Sequence, residues 1–111
     1  MRRWDLSSID IAPHQPEVLQ SEAEGRTIAI HLPAGERLQE HQVHERAWLV
    51  VIDGSIQLTG DGETEEAGPG TLAVFEPGEP HELLASSDAR LLLVLAPWPG
   101  EGHPSRRGES A

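Results

Sequence analysis

Glycine and proline interrupt this 111-residue sequence at short intervals, with 11 glycines and 9 prolines along the chain. Both residues disfavour the interior of helices and favour turns, so the sequence is better suited to short strands. The segments between them are rich in apolar and β-branched side chains, which is typical of strands. We therefore predict an all-β protein with strands at Glu17–Ser21, Arg26–Leu32, Arg37–His41, Arg46–Ile52, Ser55–Thr59, Thr64–Glu66, Thr71–Phe75, His81–Ala85 and Ala89–Ala96.

Two local patterns refine this prediction. Asp53-Gly54 lies between two strand-like runs, and Asp-Gly at such a place is the strongest sequence signal for a tight hairpin. Gly60-Asp61-Gly62 and Gly68-Pro69-Gly70 indicate two more turns. The run 47–52 is apolar on both faces of its strand, which predicts a position inside a sandwich or under a subunit interface.

Composition limits the partners and the setting. With 8 basic and 19 acidic residues the chain has a net charge of −11, which disfavours binding to nucleic acid or to anionic membranes. It has no cysteine, as expected for a reducing, cytoplasmic environment, and no apolar run approaches the roughly 20 residues of a membrane helix. The length predicts one domain at 16–97, between an N-terminal arm (1–15) and a flexible C-terminal tail (98–111).

Histidines follow two glycine-led stretches. Gly70 begins an apolar run that leads through the Pro77-Gly78-Glu79-Pro80 turn to His81. Upstream, Gly35 is followed after five residues by His41 and then by His44. A strand that leads into a rigid turn fixes the direction of the next side chain, so we expect His81 to be aimed into a site.

These two stretches resemble the paired motifs of the cupin superfamily, small barrels of the double-stranded β-helix, or jelly-roll, type. Gly35, His41 and Gly54 match the first motif, and Gly70, Gly78 and His81 match the second in register. The resemblance covers roughly residues 26–96. It implies a single-domain, cupin-2-like barrel of short antiparallel strands that forms a homodimer.

The resemblance also implies a metal site of three histidines and one glutamate. This sequence keeps His41 and His81, whereas Val43 and Ala47 stand at the other two ligand positions. His44 is the obvious substitute if a bulge turns it inward, which gives a candidate site of His41, His44 and His81 for Zn, Fe, Mn or Ni. The alternative is a site that has lost its metal.

Three functions remain open. The first is binding of a small molecule in a pocket lined by Val43, Ala47, Leu49, Leu83 and Glu76, with His41 and His81 as polar anchors. The second is a metal-dependent enzyme of the dioxygenase or isomerase type, with Glu76 or Glu45 as general base. The third is an interaction role through the doubly apolar strand. The sequence names no catalytic residue beyond these candidates.

Overall fold

The protein folds into nine strands. The computed structural model describes residues 1–13, 15–41 and 43–104, with residues 39–41 described by their backbone alone. All nine predicted strands are confirmed, three of them with the predicted bounds. They are β1 (Glu17–Glu22), β2 (Gly25–Leu32), β3 (Arg37–His41), β4 (Arg46–Asp53), β5 (Ile56–Gly60), β6 (Glu63–Ala67), β7 (Leu72–Phe75), β8 (His81–Ala85) and β9 (Ala89–Ala96).

The strands form two antiparallel sheets around one core. The five-stranded sheet has the order β1-β2-β9-β4-β7, and the four-stranded sheet has the order β3-β8-β5-β6. Apolar side chains from both sheets meet between them, among them Leu49 and Leu91 from the first and Ile56 and Leu83 from the second. Within the described residues, no helix has the length and apolarity that crossing a bilayer requires.

The two Asp-Gly dipeptides behave differently. Asp61 (φ 51°) and Gly62 (φ 78°) both have positive φ and connect β5 to its hairpin partner β6. The predicted hairpin at Asp53-Gly54 is wrong, because β4 and β5 lie in different sheets. Only Gly54 has positive φ there, and a Cβ on it would lie 2.0 Å from the carbonyl oxygen of Asp88. The chain therefore passes from one sheet to the other at a point where only glycine fits.

The outer face of the five-stranded sheet is apolar across three adjacent strands. Ala47, Leu49 and Val51 of β4 are buried in the core, so the alternate residues of this strand point outward. Cross-strand partners share a face, and the register therefore builds two apolar rows. They are Val74, Trp48 and Val94 in one row and Leu72, Val50 and Leu92 in the other.

Side chains of β2 and β9 attach the N-terminal arm to the five-stranded sheet. The Arg90 guanidinium donates hydrogen bonds to the carbonyl oxygens of Leu6 (3.2 Å) and Ile9 (2.7 Å). His31, which pairs with Arg90 in the register, lies 3.3 Å from the carbonyl oxygen of Ile11 through Nδ1. Ile11 is buried as a result of this attachment.

Residues 97–104, here called the C-terminal strap, fold back onto the barrel after β9. The Trp98 backbone N–H donates to the carbonyl oxygen of Ala23 at 3.2 Å. Its indole contacts the Arg26 guanidinium, 4.0 Å from the ring centroid, and the imidazole of His103, with 4.8 Å between ring centroids. The predicted flexible tail thus includes packed residues up to His103, and its remainder, 105–111, lies outside the described residues.

Candidate functional site

The turn between β7 and β8 leads directly to His81. Glu79 N–H donates to the carbonyl oxygen of Glu76 at 3.0 Å, with Pro77 and Gly78 (φ 80°) between them. Proline followed by a glycine of positive φ is the preferred sequence of a type II turn. Gly78 N–H also donates to the carbonyl oxygen of Val43 at 2.9 Å, which ties the turn to the β3–β4 loop. The backbone leading to His81 is therefore fixed at both ends.

The imidazole of His81 is almost completely buried, at 5% exposure. It stacks on Phe75 with 4.2 Å between ring centroids and 14° between ring planes. Its Nδ1 lies 3.2 Å from the carbonyl oxygen of Glu79. Since a carbonyl can only accept, Nδ1 donates this hydrogen bond.

His81 lies between two hollows of very different size. On the inner side is a cavity of about 20 Å³ lined by apolar side chains together with His81, which are Ile30, Leu38, Leu49, Phe75, Leu83 and Leu93. On the outer side is an open depression of about 550 Å³ formed with the β5–β6 turn and the start of β8, by Thr59, Gly60, Asp61, Gly62, Pro80 and Glu82. The inner cavity has room for about one water molecule, whereas the outer depression has the volume of a small-molecule site.

Gly60 shapes the wall between these hollows. It pairs with His81 in the β5–β8 register. A Cβ on Gly60 would lie 3.3 Å from Cε1 of Phe75 and 3.5 Å from Oε2 of Glu79. Glycine therefore lets strand β5 lie close against the stacked rings. The sequence analysis treated Gly60 only as part of a turn, and the pairing of β5 with β8 is what brings it to the site.

The two motif histidines meet in the sheet. His41 and His81 are direct partners in the β3–β8 register. One extra residue on β3 between Leu38 and His41 forms a bulge. The predicted bulge next to His44 falls partly on residue 42, outside the described residues, and the side chain of His41 lies outside them as well. The register thus brings the two backbone positions together.

His44 has different neighbours. It lies in the loop between β3 and β4, is exposed, and has its ring 5.6 Å from that of His103, at 77° between planes. Among the described contacts, no residue that touches His44 also touches His81 or lines the two hollows beside it. The structure therefore puts His44 beside the C-terminal strap.

The residues predicted to line a pocket separate into three groups. Leu49 and Leu83 line the small cavity next to His81. Ala47 is fully buried in the core, and Val43 packs against it half-buried. Glu76 is exposed at the surface. Alternation along β4 explains why Ala47 and Leu49 face inward together.

Glu76 forms an ion pair on the protein surface. Arg46 donates from Nε to Oε2 of Glu76 at 2.8 Å and from Nη2 to Oε1 at 3.1 Å. This hydrogen bond, helped by the charge of Arg46, holds the pKa of Glu76 below its ordinary value and raises the pKa of Arg46. A carboxylate held in this way is a weak base, which disfavours Glu76 as a general base.

Glu45, the other carboxylate considered as a base, is buried at 1% exposure. Its Oε2 accepts the backbone N–H of Gly100 at 2.6 Å. A Cβ on Gly100 would lie 2.5 Å from the carbonyl oxygen of His44 and 2.9 Å from this carboxylate oxygen. The alternation of β4 could have predicted that Glu45 faces inward with Ala47, but the contact with the strap has no local sequence signal.

A metal centre of the implied type does not fit the side chains that the structure describes. Val43 and Ala47 have no ligand atoms, and His44 lies beside the strap. Among the described residues, no group of three or more histidine, aspartate or glutamate side chains is arranged to hold a metal ion. Of the ligand positions that the resemblance implies, His81 is the one with an imidazole among the described side chains.

Fold and site together define a small β-barrel protein with a buried histidine between the barrel interior and an open depression. The family model described as the Cupin domain matches residues 29–96 of the sequence. This chain therefore belongs to the cupin domain family. No curated protein matches the sequence.

Solved structures agree on the fold. An RmlC-like cupin from Desulfovibrio desulfuricans is similar with a TM-score of 0.77 and 21% identity, over 87% of this chain and 97% of the other. An uncharacterised protein with a double-stranded β-helix domain from Klebsiella pneumoniae has a TM-score of 0.75 and 20% identity, over 93% and 94%. The DMSP lyase DddQ from Ruegeria pomeroyi has a TM-score of 0.64 and 18% identity, over 68% of this chain and 39% of the other. At these identities the likeness concerns the fold alone.

Proposed function

We propose that this chain is a cytoplasmic cupin that binds a small polar molecule in the depression beside His81. The observation that carries the proposal is the position of His81, a buried imidazole that lines both the outer depression and the inner cavity. Its direction is fixed by the type II turn and by the stack on Phe75. Small-molecule sites usually contain a few polar groups whose orientation is fixed before the ligand binds.

The size of the two hollows supports a ligand at the mouth of the barrel. The inner cavity of about 20 Å³ is too small for an organic ligand, since such sites usually occupy about 300–1,000 Å³. The depression of about 550 Å³ is within that range. The ligand therefore contacts Leu49 and Leu83 only if the core opens.

The lining of the depression favours a ligand with hydrogen-bond donors. Asp61 and Glu82 supply carboxylates and Thr59 supplies a hydroxyl. Arg37 donates from Nη1 to Oε1 of Glu82 at 2.6 Å, so one of these carboxylates is already paired. With a net charge of −11 on the whole chain, an anionic ligand would be repelled.

A metal-dependent enzyme is the second candidate. It is supported by the register that pairs His41 with His81, and by a lyase among the proteins that share the fold. A site of His41, His44 and His81 holding zinc, iron, manganese or nickel requires His44 to leave the strap and approach His81. The described residues lack a complete ligand set for such a site.

A second copy of the chain is the partner that the outer face of the five-stranded sheet supports. Leu72 and Val74, at its edge, are 58% and 46% exposed, and neither apolar row contains a charged residue. Since the chain is strongly acidic, contact through a surface without charged residues carries the least electrostatic cost for two copies. We therefore propose a homodimer through this face.

The test is a fragment screen by NMR on untagged protein, using neutral and cationic polar compounds. The proposal expects binders to shift the amide signals of Thr59–Gly62 and His81, and to lose about tenfold or more in affinity in His81→Gln. Gln57→Ala, an exposed change outside the depression, is the matched control. Binders that shift only other residues, or bind His81→Gln as well as the parent, would contradict it.

Elemental analysis of the same protein separates the two candidates. Stoichiometric metal that is lost in both His41→Ala and His81→Ala supports the metal-dependent enzyme. Fragment binding by metal-free protein supports the binding protein.

A further inference from the structure

His44 and His103 form a pair of imidazoles outside the site at His81. They come from distant parts of the chain, the β3–β4 loop and the C-terminal strap. Their ring centroids are 5.6 Å apart, with 77° between ring planes. A turn closed by the hydrogen bond from His103 N–H to the carbonyl oxygen of Gly100, at 3.0 Å, brings His103 to this place.

The strap is shaped around His44. Gly102 has φ 87°, and a Cβ on it would lie 3.5 Å from Nδ1 of His44. Gly100 passes so close to the His44 carbonyl that no side chain fits between them. The strap backbone therefore follows the histidine closely on both sides of the turn.

A buried carboxylate lies next to this pair. Glu45 accepts one hydrogen bond, from Gly100 N–H, and among the described residues no arginine or lysine pairs with it. The oxygens of a carboxyl group attract a cation held close to them. The surroundings of His44 and His103 thus favour positive charge.

We propose that His44 and His103 bind one divalent transition-metal ion, such as Zn²⁺, Ni²⁺ or Cu²⁺, which fastens the C-terminal strap to the β3–β4 loop. With Zn–N bonds of about 2.0–2.1 Å, two imidazoles at a tetrahedral angle place their ring centroids roughly 5.2 Å apart. The observed separation of 5.6 Å is close to this value, so the spacing of the two rings is compatible with one ion between them. Water completes the coordination.

This site is separate from the depression beside His81, and the proposal does not depend on the proposed function. A metal ion at this site and a metal ion in the barrel are distinguished by the histidines that each requires. His44 and His103 are needed here, whereas His41 and His81 are needed for a metal in the barrel.

The test is a calorimetric titration of untagged, chelator-treated full-length protein with NiCl₂ and with ZnCl₂. The expected result is one bound ion per chain and an affinity about tenfold or more weaker in His44→Ala and in His103→Ala. His81→Gln is expected to stay within about twofold of the parent. An affinity unchanged in His103→Ala, binding lost only in His81→Gln, or no binding by the parent would each overturn the proposal.

Tryptophan fluorescence gives a second readout that does not depend on folding losses in the variants. The His103 ring lies 4.8 Å from Trp98, so Cu²⁺ or Ni²⁺ held there should quench the emission of Trp98. Trp98→Phe should keep the metal affinity and lose the saturable part of the quenching. Quenching of equal size in Trp98→Phe would place the ion elsewhere and overturn the assignment.

Discussion

The imidazole of His81 lies nearly parallel to the ring of Phe75, with 4.2 Å between their centroids. Phe75 ends β7 in the five-stranded sheet and His81 begins β8 in the four-stranded sheet, so the stack joins the two sheets at the mouth of the barrel. Phe75 is 5% exposed and belongs to the core. The core and the candidate site therefore share one aromatic side chain.

Replacing Phe75 with leucine should weaken both fold and site. Loss of the stack and of part of the buried ring is expected to lower the free energy of unfolding by about 1–3 kcal/mol. Urea denaturation measures this loss, and NMR of the His81 ring measures its exposure. Gln57→Ala, at an exposed position of β5, should change the free energy of unfolding by less than about 0.5 kcal/mol. Equal losses of unfolding free energy in Phe75→Leu and Gln57→Ala would contradict the role of Phe75 in the core and at the site.

Gly54→Ala and Gly62→Ala form a matched pair at positive φ. A methyl group at Gly54 would collide with the backbone of Asp88, 2.0 Å away, whereas one at Gly62 would meet nothing within 4 Å. We expect Gly62→Ala to cost about 1–2 kcal/mol from backbone strain alone, and Gly54→Ala to cost clearly more. Thermal or urea unfolding compares them. Similar losses of stability in the two variants would show that the backbone around Gly54 adapts to a side chain, which would contradict this prediction.

Gly100→Ala should detach the C-terminal strap. Its Cβ would lie 2.5 Å from the His44 carbonyl oxygen, so the hydrogen bond to Glu45 cannot keep its length. We expect a red shift and easier acrylamide quenching of Trp98, with a loss of about 1–3 kcal/mol in stability. Gly68→Ala, where a Cβ meets nothing within 4 Å, is the control. Unchanged Trp98 emission in Gly100→Ala would disprove this role of the glycine.

The Arg46–Glu76 pair predicts an acid dependence. Because the hydrogen bond from Arg46 lowers the pKa of Glu76 in the folded state, the pair stabilises the fold above the ordinary pKa of 4.5. That stabilisation is lost as the pH falls through the lowered folded value. Both side chains are at the surface, so the effect is small. In Glu76→Gln the unfolding midpoint should fall less between pH 6 and pH 3 than in the parent, and Glu66→Gln should behave like the parent.

Leu72→Lys should weaken self-association. Leu72 is 58% exposed on the outer face of the five-stranded sheet, so lysine should be tolerated by the isolated fold. The change also reduces the net negative charge, so a weaker dimer cannot be attributed to stronger repulsion. Sedimentation velocity over a concentration series measures the effect, with Gln57→Lys as the charge-matched control. A dimer equally stable in both variants would place the interface elsewhere.

The sequence predicts the strands well because their signals are local. Turn residues and apolar runs lie within each segment, and β3, β8 and β9 have the predicted bounds. The difference between Asp53-Gly54 and Asp61-Gly62 is not local. At residues 61–62 the two strands stay partners, whereas at residues 53–54 the close approach of Asp88 directs the chain to the other sheet.

The same distinction between local and distant signals applies to the candidate site. The turn after Phe75 fixes His81 through neighbouring residues, so its burial could be expected from the motif. The positions of His44 and Glu45 depend on the C-terminal strap, which returns to them from more than 50 residues away. The surface pairing of Glu76 with Arg46 likewise joins the start of β4 to the turn after β7. Such contacts have no signature within a short window of sequence.

The two apolar rows on the outer face also have a consequence for behaviour in salt. A pair of chains joined there brings together two bodies that each carry a net charge of −11. Dissolved ions screen that repulsion over roughly 10 Å at 0.1 M, while they leave the contact between apolar rows intact. Higher ionic strength should therefore favour association, the opposite of what salt does to complexes held together by opposite charges.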